Sequence, residues 1–227
     1  MSTAEYLPDD ELVDVEPQLS FSAVFADALR GEPCLVEGLS EHDEELPVHR
    51  WSRPVDESDR ALLAYCRGTT IDVGCGPGRM SEHLSDQGHA VLGLDIVREA
   101  VEQARTRGVP ALRRNVFDPV PGEGRWDTVL LADGNIGIGG APRELLARCG
   151  ELVDPVHGRI VVDLAGPGTG LSTHEALLVS GGRRTRPFPW ARVGVDAIEE
   201  LAASAVLRVE VVTRHLDRWF AVLRHAV

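Results

Sequence analysis

From residue 57 onward, short apolar runs alternate with segments whose apolar residues recur every three or four positions. The runs at 70–73, 90–95, 111–116, 128–132 and 159–164 predict strands, and the segments 79–87, 97–107 and 142–152 predict amphipathic helices between them. Strand followed by helix, repeated, builds a parallel sheet with helices on its faces. The turn-rich stretch Gly166-Pro-Gly-Thr-Gly170 closes the fifth strand. After it, 175–180 and 185–193 flank Gly181-Gly-Arg-Arg184, the pattern of a β-hairpin. Asp196 reads as the cap of a helix running to Ala205, and 208–212 and 219–224 as two closing strands.

The first quarter is organised differently. Met1 to Ser20 is polar and acidic without periodicity, which predicts a flexible arm. Phe21, Val24, Phe25 and Leu29 fall at helical spacing, with Gly31 as the stop. Cys34-Leu-Val-Glu-Gly38 and Leu46-Pro-Val-His-Arg-Trp51 flank an acidic stretch and predict a small hairpin; 60–66 predicts a helix ending at Gly68. The expected organisation is an extension over 1–56 and a main domain over 57–227, with an insertion at about 171–194. The fold class is α/β: a Rossmann-like doubly wound sheet of about seven strands, mostly parallel with an antiparallel last strand, plus the N-terminal extension and the β-hairpin insertion after strand 5.

Charge sharpens this division. The 227 residues carry a formal net charge of −13, and residues 1–60 hold 16 Asp and Glu against 4 Arg. The excess acid argues against a nucleic-acid partner, whose affinity draws on Lys and Arg. All 23 basic residues are Arg. Schiff-base chemistry and a Walker-type lysine are therefore excluded. No apolar run is long enough to span a bilayer and the first segment lacks a signal's basic start, so the expected address is the cytoplasm. Cys34, Cys66, Cys75 and Cys149 form no CxxC pair, so the expectation is reduced thiols and no metal site.

The most specific feature is Thr70-Ile-Asp-Val-Gly-Cys-Gly-Pro-Gly-Arg-Met80, a strand entering a glycine loop from which a helix leaves. Gly74, Gly76 and Gly78 permit positive φ and close approach of a ligand, and the helix N-terminus favours an anionic group. A dinucleotide loop needs GxGxxG, and Arg79 stands where the third glycine belongs. What remains is acid-x-Gly-x-Gly-x-Gly, with Asp72 leading.

With this loop, Asp95 ending Ala90-Val-Leu-Gly-Leu-Asp, Asn115 in Arg114-Asn-Val-Phe117 and the segment Trp126-Asp-Thr-Val-Leu-Leu-Ala-Asp-Gly-Asn135, the chain resembles a class I S-adenosylmethionine-dependent methyltransferase over residues 57–227. The resemblance implies S-adenosyl-L-methionine as cofactor, bound by Asp72, Gly74, Cys75, Gly76, Gly78, Asp95, Ile96, Asn115, Val116 and Asp133. Asp95 can accept both ribose hydroxyls, and Asp72 can orient the amino-acid end directly or by fixing the loop. Asn115 departs from the acidic residue common in the family, yet its amide oxygen can accept from the adenine amino group, beside Val116. Cys75 reads better as a small packing residue than as a nucleophile.

Methyl transfer from a sulfonium is an in-line displacement that rests on alignment. The expected acceptor is a small molecule, at the loop Ala132-Asp-Gly-Asn-Ile-Gly-Ile-Gly-Gly140, whose polar groups are Asp133 and Asn135. Asp133 with Asp163 gives only part of a catechol-type metal pattern. His174 is the histidine best placed to be a base, with a solvated surface histidine as the alternative. Phe188 and Trp190 read as a lid or as packing; Arg183, Arg184 and Arg186 as an anion-recognising or a solvated turn. A non-catalytic adenosyl-ligand protein on the same fold and a dinucleotide oxidoreductase are the rival functions. The acidic N-terminal segment is expected to fold over the cleft and disfavour anionic substrates.

Overall fold

A computed structural model describes residues 19–40 and 42–226; the predicted arm up to Ser20 lies almost wholly outside them. Phe21–Leu29 forms helix α1, and Cys34–Glu37 forms strand β1, paired antiparallel with a two-residue strand β2, Glu44–Glu45. The second limb of this hairpin was expected over 46–51. Instead, Leu46 N–H makes one more bond to Cys34 (2.8 Å), Pro47 has no N–H to continue the ladder, and Val48–Ser52 turns into helix α2. Helix α3, Glu57–Leu63, opens on a capping box in which Asp56 and Asp59 each accept the other's backbone N–H at 2.9 Å.

The parallel sheet follows the hydrophobic pattern closely. Strands β3 (Thr70–Val73), β4 (Val91–Asp95), β5 (Ala111–Arg113), β6 (Thr128–Leu131) and β7 (Arg159–Leu164) run parallel to one another. Helices α4 (Arg79–Asp86), α5 (Arg98–Thr106) and α6 (Pro142–Leu152) lie between them in sequence. β5 stops short of the predicted Val116 because Asn115 Oδ1 accepts from Phe117 N–H at 3.1 Å, a local turn that competes with the ladder.

Strands β8 (Leu171–Ser180), β9 (Arg183–Arg184) and β10 (Phe188–Val193) form the insertion, joined by a Gly181-Gly182 turn in which both residues have positive φ. Arg186 and Pro187 split the return limb that was expected to be continuous: Arg186 N–H turns to Leu19 (2.9 Å). Helix α7, Ile198–Ser204, begins behind Ala197, not Asp196, whose carboxylate accepts from Gly170 N–H at 3.1 Å. Strands β11 (Leu207–His215) and β12 (Arg218–His225) complete a seven-stranded sheet of order β11-β12-β7-β6-β3-β4-β5. Only β12 opposes its neighbours, as the sequence predicts.

Both faces of the sheet are covered. Val129, Leu131, Ile160 and Val162 pack with Leu145, Leu146 and Leu152 of α6 and Ile198 of α7; Leu130, Val161 and Phe220 pack with Leu62 of α3 and Leu84 of α4. A second sheet, β10-β8-β1-β2 with β9 on β8, joins the N-terminal extension to the insertion. Val24, Ala28, Cys34, Val36, Ala176 and Leu178 form its core, and Phe21 meets Phe188 edge-on at 4.9 Å. Bridges between Ile138 and Trp190 and between Ala165 and Gly194 seat this sheet at the C-terminal ends of β6 and β7.

Candidate active site

The glycine loop runs from the end of β3 into α4, and Gly74, Gly76 and Gly78 all have positive φ. At Gly78 a Cβ would stand 2.9 Å from the Ala104 Cβ of α5, so the missing side chain sets how closely loop and helix approach. At Gly76 a Cβ would meet nothing within 4 Å, which leaves the backbone open. Gly76 N–H donates to Asp95 Oδ2 (3.0 Å), and Val97 N–H to Asp95 Oδ1 (2.8 Å). Burial raises the Asp95 carboxyl above its ordinary range, against these backbone N–H groups, which lower it.

Asp72 lies under the loop, 1% exposed, and accepts from Ser81 Oγ at 2.6 Å. Burial pushes its carboxyl up to about 7 despite that bond. Val116 is buried and Asn115 exposed, and two large apolar side chains beside them, Ile96 and Phe117, are 46% and 45% exposed. Phe117 escaped the sequence reading, which had no signal separating it from an ordinary core phenylalanine. Cys75 is buried, and burial raises its thiol, consistent with packing.

Across the loop, Asn135 Nδ2 donates to the carbonyls of Val73 and Gly74, both at 2.9 Å, tying the turn after β6 to the glycine loop. Asp133 is one of three non-glycine residues at positive φ (52°) among the described residues. It accepts from Arg79 Nη2 (2.6 Å) and Arg218 Nη2 (3.1 Å). These guanidiniums belong to a larger cluster. Arg79 also pairs with Asp59, and Arg218 reaches Asp59 at 2.5 Å and grips Asp163 through two bonds of 3.0 Å. Burial would lower the Arg218 guanidinium, but Asp163, Asp133 and Asp59 outweigh it and hold it above its ordinary value. The sequence offered Asp133 and Asp163 as possible metal acids; both are spanned by Arg218. Nothing local marks Asp59 or Arg218, which stand 159 residues apart.

A cavity of about 270 Å³ lies beside this turn, lined by Ile136, Asp163, Trp190 and Arg192 together with Leu39 and Glu44 of the extension. His174 is not joined to Asp133 or Asn135. Its Nε2 is 2.8 Å from Ser172 Oγ, and it sits across the strand pair from Trp190. Arg183 and Arg184 pair with Asp27 and Glu37, so part of the extension's acid neutralises the hairpin turn.

A doubly wound sheet whose first strand feeds an open glycine loop, with a carboxylate at the end of the next strand, defines a nucleoside-type ligand site. Residues 71–155 match a family model described as a methyltransferase domain. A solved S-adenosylmethionine-dependent methyltransferase from Bacteroides fragilis, in complex with S-adenosyl-L-homocysteine, has a similar fold: TM-score 0.76 at 23% identity, covering 91% of this chain and 94% of that one. The 1,6-didemethyltoxoflavin-N1-methyltransferase of Burkholderia thailandensis gives a TM-score of 0.56 at 20% identity, covering 75% of this chain and 79% of that one. Malonyl-[acyl-carrier protein] O-methyltransferase of Salmonella typhimurium is 41% identical over 51 residues, a match spanning 21% of this chain and 20% of that enzyme's length. The chain has the fold of S-adenosylmethionine-dependent methyltransferases, and its residues 71–155 carry the methyltransferase-domain match. Among the described residues, no helix is long and apolar enough to cross a membrane.

Proposed function

We propose that the protein transfers the methyl group of S-adenosylmethionine to a small-molecule acceptor seated in the cavity between the two sheets. The observation that carries this reading is the position of that cavity. It borders the turn after β6, which Asn135 binds directly to the glycine loop. The bound cofactor would supply an activated sulfonium methyl. The open backbone at Gly76 fits such a ligand, and each Asp95 oxygen keeps lone-pair capacity to accept a ribose hydroxyl. Ile96, Asn115 and Val116 would flank adenine, with Phe117 at the rim. Asp72 would act by holding the loop to α4. Asp133 and Asn135 would be positioning residues, the first through Arg79 and Arg218, the second through the loop carbonyls. His174 would serve, if an acceptor needs it, to take a proton near Trp190.

Incubation with methyl-labelled S-adenosylmethionine and a metabolite extract should yield a labelled small molecule. Binding of S-adenosylhomocysteine without any labelled product would favour a non-catalytic ligand-binding role, and tight NAD binding without S-adenosylhomocysteine affinity would overturn the reading. Asp95→Ala is expected to weaken S-adenosylhomocysteine binding at least about tenfold by calorimetry, with near-native circular dichroism. Trp190→Ala should raise the acceptor KM and leave S-adenosylhomocysteine affinity unchanged. An equal loss in both would place Trp190 outside the acceptor cavity.

A further inference from the structure

At the opposite edge of the main sheet, where β6 and β7 begin and β12 ends, lies a second cavity of about 310 Å³. Arg67, Arg159, Arg224 and His157 line it, with a single carboxylate, Asp127. Its Oδ2 accepts from Thr69 N–H (2.7 Å) and Thr69 Oγ1 (2.8 Å), so a single tethered carboxylate faces three guanidiniums. Arg224 is paired with Glu210 at 2.9 Å. Arg159 is 5% exposed, yet among the described residues its guanidinium has no ion-pair partner, and its Nε has no hydrogen bond.

Burying an unpaired guanidinium is unfavourable, because its hydration is lost without replacement. Here the neighbours add to the cost: burial first, then the charges of Arg67 and Arg224, push the Arg159 guanidinium below its ordinary value. The sheet register explains why it cannot turn away. Thr70, Thr128 and Arg159 occupy one row across β3, β6 and β7 and share a face, the one on which Leu130 and Val161 pack with Leu62 and Cys66. Thr70 Oγ1, also buried, lacks a hydrogen-bond partner on the same row. The hydroxyl of Thr128 is taken by the backbone of Arg67.

We propose that this cleft is a binding site for a phosphate dianion, either free or on a small ester, with Arg159 at its floor and Arg67, Arg224 and His157 at its walls. Planar guanidiniums match phosphate oxygens in paired hydrogen bonds, and a dianion would relieve the mutual repulsion of the cluster. The site lies at the N-terminal ends of the parallel strands, away from the glycine loop at their C-terminal ends, so it is independent of cofactor and acceptor binding.

The test is calorimetric titration of the full chain with inorganic phosphate, pyrophosphate and phenyl phosphate, each at constant ionic strength, with thermal unfolding in parallel. At least one should bind and raise the unfolding temperature. Preference for inorganic phosphate would identify the free ion as occupant, and preference for phenyl phosphate an ester. Arg159→Met is expected to lose at least tenfold in affinity, with unfolding in phosphate-free buffer at or above the wild-type temperature. Arg67→Ala, at an exposed position, should weaken binding at least threefold with the fold intact; S-adenosylhomocysteine affinity should stay unchanged in both variants. No binding of any of the three up to about 10 mM, or unchanged affinity in Arg67→Ala, would overturn the proposal.

Discussion

Asp59→Ala is expected to lower stability by about 3–5 kcal/mol, because it strips the buried Arg79 and Arg218 of a shared carboxylate. For a chain of this size that corresponds to a fall in unfolding temperature of roughly 6–20 °C. Part of the effect, about 1 kcal/mol, belongs to the capping box of α3, in which Asp59 is the third helical residue. Asp56→Ala removes the cap but leaves the buried guanidiniums partnered, so it measures that share. The larger remainder should couple to Arg218: combining Asp59→Ala with Arg218→Met should destabilise less than the sum of the two single changes. Strict additivity in urea unfolding would show that the cluster is not a unit. The cluster reaches the turn after β6 through Asp133, so on the proposed function Asp59→Ala should also lower turnover more than it weakens S-adenosylhomocysteine binding.

The second large effect is a pH dependence centred on Asp72. Its carboxyl, ordinarily near 3.8, is pushed up to about 7 by burial. Between those values the folded chain holds a proton that the unfolded chain has released. Stability from this group is therefore fully present below about pH 4 and lost as pH rises to about 7, a change on the order of 4 kcal/mol. Asp72→Asn cannot titrate, and its amide oxygen can still accept from Ser81. The stability of Asp72→Asn relative to wild type should therefore climb from pH 4 to pH 7 and level off above it. Parallel stability profiles across that range would show that Asp72 is ionised in the folded state throughout.

How much of this was legible in the sequence depends on whether the cause was local. The core strands and helices follow their apolar periodicity because each buries its own pattern; β3, β7 and α6 fall at the predicted bounds. The glycine loop was legible because three glycines, a strand and a helix are contiguous. Departures arose where one side chain or one missing N–H redirected the backbone, at Pro47, Asn115 and Asp196. The charge cluster was illegible for a different reason. Asp59, Arg79, Asp133, Asp163 and Arg218 come from five separate elements or turns, and no spacing relates them. Asp133 and Asn135 read from the sequence as the polar groups of the loop after β6, but their partners, two arginines and two backbone carbonyls, lie where only the folded chain brings them.

The sheet shared by the extension and the insertion has a consequence for how such a protein changes over time. β1 pairs with β8 across some 140 residues of sequence, Leu35 against Val179, and the two segments together wall the cavity through Leu39, Glu44 and Trp190. On the proposed function, a new acceptor preference cannot be grafted by exchanging the insertion alone, since its strands would arrive without their partner. The first and fourth quarters of the chain form one heritable cassette, and recombination that moves only one of them should yield chains that retain the donor site but lose the wall facing it.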